Sequence, residues 1–298
     1  MASQSDWQTR PIGLHLEVSD EDRRVARVVE IVPARRWPGL DVGELWEYRG
    51  LLLLLVWRDI KSRYSQTVLG AGWAVLQPLL PMAIFTVVFG RFARIPSDGV
   101  PYAIFSLCGL SLWTYFASAL SGGGNSLVLN RNLLTKVYFP RLVIPASQVL
   151  TALVDFAISF TVLLAALLIA GLVPRPEALV MVPILLLAVS MTALGAGAWL
   201  AALGVQYRDV RHLSPFLTQI WMYASPIVYP MSLVPEQYRT LYALNPMAGI
   251  LSEFRAVLLG VPGPTSLQLG LSLGAAVLVF LTGTLYFRHA EQVFPDVA

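Results

Sequence analysis

Charge is what this sequence has least of. Only 13% of its 298 residues are charged, against about 25% in ordinary soluble domains. A soluble chain of this length would need more charge to cover its surface. With 56% hydrophobic residues, the shortage indicates an integral membrane protein. The net charge of +3 does not suggest a nucleic-acid partner. Cysteine is nearly absent: Cys108 stands alone in an apolar segment, which excludes an intrachain disulfide. His15, His212 and His289 have no ligand-spaced partners, so no metal site is expected. No G-x-x-x-x-G-K-[ST] occurs, and Gly122-Gly-Gly-Asn-Ser lacks both the lysine and the spacing, so the chain has no phosphate cradle of its own. Neither a nucleophile–base pair nor an internal repeat can be read. The first 40 residues contain no apolar h-region, so no cleavable signal is expected.

What is present is organised around Leu51–Gly90. Leu51–Trp57 is an apolar run of seven residues, too short to cross a bilayer. Arg58–Gln66 is a polar hinge containing Arg58, Asp59, Lys61 and Arg63. Val68–Gly90 has 23 residues and no charge. At about 1.5 Å per residue it spans a hydrocarbon core of roughly 30 Å. Before it, Asp41-Val-Gly-Glu44 resembles a capping box, and Glu44, Glu47, Arg58 and Lys61 can share one side of the helix that follows. Trp46, Tyr48 and Trp57 supply interfacial aromatics. The expectation is an amphipathic interface helix and hinge over 41–66, after a cytosolic arm over 1–40.

The expected fold is an all-α integral membrane protein. Six transmembrane helices are placed at about 68–90, 101–120, 143–173, 179–204, 213–230 and 267–287 within a domain of residues 67–290, followed by a cytosolic tail over 291–298. Gly195, Ala196, Gly197 and Ala198 would allow close helix contact. Six crossings put both ends on one side. Sixteen Lys and Arg lie on that side and five on the other, so both termini are expected in the cytosol.

Two loops stand out. Residues 127–141 are basic with no acid, and the apolar Leu127, Leu129, Leu133, Leu134 and Val137 alternate with polar neighbours, suggesting a short amphipathic cytosolic helix. A connector that merely snorkels its charges is the alternative. On the far side, residues 234–260 form two apolar pieces divided at Asn245-Pro246, neither long enough to span; they read as re-entrant or interfacial helices. Asp155 is the only acid inside a crossing. An intramembrane acid is a functional-site hypothesis. Lacking an intramembrane base, however, it reads better as a helix–helix hydrogen bond, or as a position near enough to the cytosolic interface to be hydrated. The aromatics Trp113, Tyr115, Phe116, Tyr223 and Tyr229 fit either a sugar-stacking surface or, from spacing alone, a membrane-interface belt.

Val56-Trp-Arg-Asp-Ile-Lys-Ser-Arg-Tyr-Ser-Gln-Thr-Val-Leu-Gly-Ala-Gly-Trp-Ala-Val-Leu-Gln-Pro78 resembles the opening signature of the permease subunits of polysaccharide ABC exporters of the ABC-2 type, which move O-antigen, capsule and teichoic acid. Asn132-Leu-Leu-Thr-Lys-Val-Tyr-Phe-Pro-Arg141, Tyr207-Arg-Asp-Val210, Ser225-Pro-Ile-Val-Tyr229 and Asn245-Pro246 extend the resemblance over residues 45–290. It implies a homodimer of permeases with two copies of an ATP-hydrolysing subunit, so that ATP and Mg are bound by the partner and no cofactor by this chain. It also implies an undecaprenyl-type lipid-linked polysaccharide as cargo and the cytoplasmic (inner) membrane as location. By carry-over, Asn130, Arg131, Lys136, Tyr138 and Arg141 belong to a coupling helix that meets the ATPase. Arg58, Lys61 and Arg63 face a lipid pyrophosphate at the cytosolic interface, residues 234–260 form gate helices, and Trp113, Tyr115, Phe116, Tyr223 and Tyr229 line the channel. The rivals are an ABC-2 exporter of a small drug or lipid and a membrane enzyme acting on polyprenyl-linked sugars, which would need clustered carboxylates or histidines.

Overall fold

The computed structural model describes residues 42–65, 72–130, 133, 139–207 and 209–291. Every regular element among them is helical. In chain order these are α1 (Val42–Glu47), α2 (Arg49–Tyr64), α3 (Gly72–Phe85), α4 (Tyr102–Leu129), α5 (Val143–Ile169), α6 (Ala178–Gln206), α7 (Val210–Tyr223), α8 (Glu236–Tyr242), α9 (Pro246–Leu259) and α10 (Ser266–Glu291). A π-helical stretch, Thr86–Phe92, prolongs α3, and a single 3₁₀ turn, Met231–Leu233, precedes α8.

Five of these stretches are long and apolar enough to cross a membrane: Val75–Phe92, Tyr102–Leu129, Val143–Ile169, Ala178–Gln206 and Ser266–Glu291. The fifth expected crossing, residues 213–230, is different. α7 has 14 residues, a length of about 21 Å, which falls short of a hydrocarbon core of roughly 30 Å. Pro226 lacks the N–H that another turn would need, and the chain leaves the helix after Tyr223. Ser225–Val228 and Pro230 are buried without helical structure. Irregular backbone is tolerated at membrane depth only where protein covers it, so this segment depends on its neighbours for hydrogen bonds.

Three other boundaries depart from expectation. Ser121–Leu129, expected in a loop, is the end of α4. Three consecutive glycines are poor helix formers in isolation. Here they fit beneath neighbours: Gly123 meets Gly197 backbone to backbone, Gly124 lies under Leu200, and Gly122 faces Gln148. α3 is not an even span, because Pro78 and Pro81 sit inside it and its end is π-helical. The polar stripe expected from Glu44 to Lys61 is interrupted at Tyr48, where α1 ends and α2 begins at a different angle of the backbone (φ −89°, ψ 17°). Asp41 of the suggested cap lies outside the described residues, as do residues 1–40 and 292–298.

α4 is the centre of the bundle: α3, α5, α6, α7 and α9 all pack on it, while α10 packs on α6 and α9. The small residues expected to permit close contact do so. A Cβ on Gly283 would lie 2.0 Å from the carbonyl oxygen of Gly195, so α6 and α10 touch through backbone atoms. α9 is buried almost along its length, and Gly260, in a left-handed conformation (φ 72°), terminates it.

Candidate functional site

The polar residues of this apolar chain collect in three places. The first is a seam between α2 and α5 on the side where α4 ends. Leu55 and Val56 bury one face of α2, which leaves its polar edge to find partners. Arg58 donates to its neighbour Asp59 at 2.7 Å and to Asn130 Oδ1 at 2.9 Å. Asp59 accepts from the Gln148 amide of α5 at 2.5 Å. One turn further on, Arg63 and Tyr64 both donate to the Asp155 carboxylate. Asp155 is therefore not isolated. Its base comes from outside the crossings, which a search within them could not find.

The second is an open cavity of about 720 Å³ lined by Arg63, Gln77, Trp113, Ala117, Ser118, Ser121, Pro215, Thr218, Gln219 and Met222. α3, α4 and α7 build it, with Arg63 at its α2 edge. Gln77 is exposed on a helix with no other polar side chain, and Gln219 is exposed beside Thr218 on α7. An amide facing hydrocarbon without a partner costs a few kcal/mol, on the order of 1–3 from protein data, so their position on a shared cavity wall is the favourable one. The wall holds hydroxyls and amides and one cation, Arg63, already paired with Asp155.

The third is a lock around the broken segment after α7. Arg255 of α9 is 2% exposed. Its guanidinium donates to the carbonyls of Pro226, Ile227 (2.7 Å) and Phe105 (3.3 Å) and stacks on the Phe105 ring at 3.7 Å. Gly109 makes the room, since a Cβ there would lie 2.2 Å from Arg255 Nη2. Burial pushes the guanidinium pKa down to about 10, and the group keeps its charge at neutral pH. Asn245 completes the lock. Its oxygen accepts from Met247 N (3.1 Å), capping α9, and from Trp221 Nε1 (2.9 Å), while its amide donates to the Ala224 carbonyl (2.8 Å) and Ser225 Oγ (3.0 Å). Two motifs twenty residues apart, Ser225-Pro-Ile-Val-Tyr229 and Asn245-Pro246, thus form one unit.

The expected site residues are dispersed over these places. Asn130 ends α4 and meets Arg58. Arg131, Lys136 and Tyr138 lie outside the described residues. Arg141 is held at the end of α10, its N–H donating to Glu291 Oε1 at 3.0 Å and its Nη1 to the Glu291 carbonyl at 3.1 Å. Lys61 is exposed, and Arg63 is bonded to Asp155. The aromatics need correction. Tyr115 and Phe116 are inside the bundle of one protomer, where Tyr115 pairs with Ser190 Oγ at 2.6 Å and Phe116 packs edge-on against Trp221. Side chains so placed cannot line a channel. Trp113 borders the cavity but is 5% exposed, so it offers little ring surface. Tyr223 is exposed, and Tyr229 bonds the Tyr242 hydroxyl at 2.9 Å. Among the described residues, no group of His, Cys, Asp and Glu could hold a metal ion.

Arg255, Gln77 and Gln219 were not singled out by sequence reasoning. Arg255 looked like one more loop charge, although a lone cation within the apolar run Met247–Gly260 was a usable signal. The glutamines are unremarkable until α3 and α7 are seen side by side.

Comparison with known proteins bears on the architecture as a whole. Residues 50–259 match the description of the ABC-2 type transporter membrane family. The chain belongs to that family. The O-antigen export system permease protein RfbA of Myxococcus xanthus is 32% identical over 86% of this chain and 98% of its own length. RfbA of Klebsiella pneumoniae is 28% identical over 69% of this chain and 78% of its own. The polysialic acid transport protein KpsM of Escherichia coli is 23% identical over 79% and 91% respectively. These relatives are transport permeases, and this ABC-2 family member is likewise integral to the membrane.

Proposed function

We propose that this chain is the permease subunit of an ATP-driven exporter of a lipid-linked polysaccharide, of the O-antigen kind, in the cytoplasmic membrane. The observation that carries the reading is the cavity walled by Gln77, Ser118, Ser121, Thr218 and Gln219, in a bundle otherwise apolar. Uncharged amides and hydroxyls are what sugar hydroxyls pair with. Relatedness to the O-antigen permease of Myxococcus xanthus along 98% of its length supports the same cargo.

Work must then come from a partner, because the sequence holds no phosphate cradle. Two copies of an ATPase subunit, carrying ATP and Mg, drive two copies of this chain. The loop after Asn130 receives the motion. It is anchored at both ends: Asn130 is tied through Arg58 and Asp59 to Gln148 of α5, and Arg141 to the end of α10. A displacement between these anchors reaches α2, α5 and α10 together. The cavity between α3, α4 and α7 lies on the path, and the Arg255 lock holds the far end. With α7 and the buried segment after it counted as one crossing, there are six, both termini are cytosolic, and α8 and α9 form the extracytosolic gate.

Purification of the tagged chain from membranes in mild detergent tests this. A stoichiometric ATPase subunit is expected with it. Replacing residues 131–138 by a Gly/Ser linker, with Asn130 and Arg141 retained, is expected to release that subunit while the permease stays folded. A chain that purifies alone in several detergents, with no nucleotide-dependent activity, would overturn the reading.

A further inference from the structure

We propose that the cavity between α3, α4 and α7 selects an uncharged glycan and rejects one carrying a charge on every repeat; this rests on the exporter reading above. The only cation on the described cavity wall is Arg63, and its guanidinium is bonded to the Asp155 carboxylate. The pair contributes no net charge. The remaining polar groups, Gln77, Ser118, Ser121, Thr218 and Gln219, are neutral. The Thr218 hydroxyl spends its hydrogen on the Ser214 carbonyl at 2.9 Å and so presents acceptor lone pairs. The glutamine amides offer both donors and acceptors. That mixture suits sugar hydroxyls, which also do both.

The wider sequence strengthens the point. Apart from Asp155, no Asp, Glu, Lys, Arg or His occurs in residues 72–90, 102–129, 143–169, 178–206 or 213–230; Arg211 and His212 stand in the first turn of α7, before the last of these. The six residues 66–71, which join α2 to α3, are also without charge. A passage made from two copies of this chain would therefore draw its walls at membrane depth from neutral side chains and two compensated pairs. Carboxylates moving through a low-dielectric surround need cations along the wall, since desolvation otherwise outweighs any contact they make. Neutral sugars carry no such requirement.

The test uses the full chain with its ATPase subunit in sealed vesicles. The probes are a polyprenyl-diphosphate-linked decasaccharide of hexoses and its counterpart in which alternate hexoses are hexuronates. The native complex is expected to move the neutral probe about ten-fold faster or better, a discrimination set by uncompensated charge. Gln219→Lys, which adds a cation to the wall, is expected to narrow that ratio, and Gln219→Asn to preserve it. Equal rates for the two probes in the native complex, or faster uronate transport, would overturn this inference and leave the exporter reading standing. Transport of neither probe would overturn the exporter reading, and this one with it.

Discussion

α4 and the span Val75–Phe92, made of α3 with its π-helical end, are both apolar and of crossing length, yet 72% of the apolar window of α4 is buried inside the protomer and only 6% of Val75–Phe92. α7, beside α3, resembles it: Leu213, Phe216, Leu217, Ile220 and Tyr223 are all exposed. The contrast separates two kinds of region. One consists of α4, α6, α9 and α10, joined by glycine contacts and the Arg255 lock. The other consists of α3 and α7, which carry prolines, a π-helical end and a short helix, and which hold the polar cavity between them. Rigid contacts gather where backbones touch; the candidate passage lies where they do not. α7 is nevertheless tied to the lock through Trp221, whose indole N–H donates to Asn245.

That contrast can be broken by substitution. The largest effect is expected at Arg255. Arg255→Ala would strand the carbonyls of Pro226, Ile227 and Phe105 and empty the space beside Gly109. A loss of about 3–5 kcal/mol is expected, because three buried carbonyls lose their donor at about 1–3 kcal/mol each, partly offset by removing a buried charge. Thermal unfolding in detergent would reveal it, and unchanged stability would mean that the broken segment is held by something else. Next comes Gly283→Ala, whose methyl would meet the Gly195 carbonyl. Forcing α6 and α10 apart is expected to cost about 1–3 kcal/mol, read by the same melt. The smallest effect is expected on the other side of the comparison. Ile220→Ser on the exposed face of α7 should change protomer stability within about 0.5 kcal/mol. A larger loss, measured on the detergent-purified protein, would show that this face is covered.

Much of this was legible beforehand, and the reasons differ by element. The crossings at α4, α5, α6 and α10 followed from length and missing charge, because a membrane leaves a helix few other choices. The close approach at Gly195 was visible in its run of small residues. The helical state of Gly122–Gly124 was not, since local propensity opposes it and only the fit against Gly197, Leu200 and Gln148 reverses that preference. The segment 213–230 is visibly shorter and interrupted by Pro215 and Pro226, but that its backbone carbonyls after α7 are met by Arg255 could not be read. Tyr115 and Phe116 misled because an aromatic on a spanning helix looks alike whether it faces a channel or a core.

By itself, then, the sequence determined that this chain lives in a membrane and that it folds as helices, because composition and hydrophobic patterning decide those matters locally. It carried the ABC-2 resemblance in contiguous stretches as well. Tertiary structure decided which polar groups meet. Arg63 with Asp155, Arg255 with the carbonyls after α7, and Gln77 across from Gln219 are separated by 92, 28 and 142 positions. In an apolar surround each polar group must find a partner or a cavity, and which one it finds depends on how the helices cross.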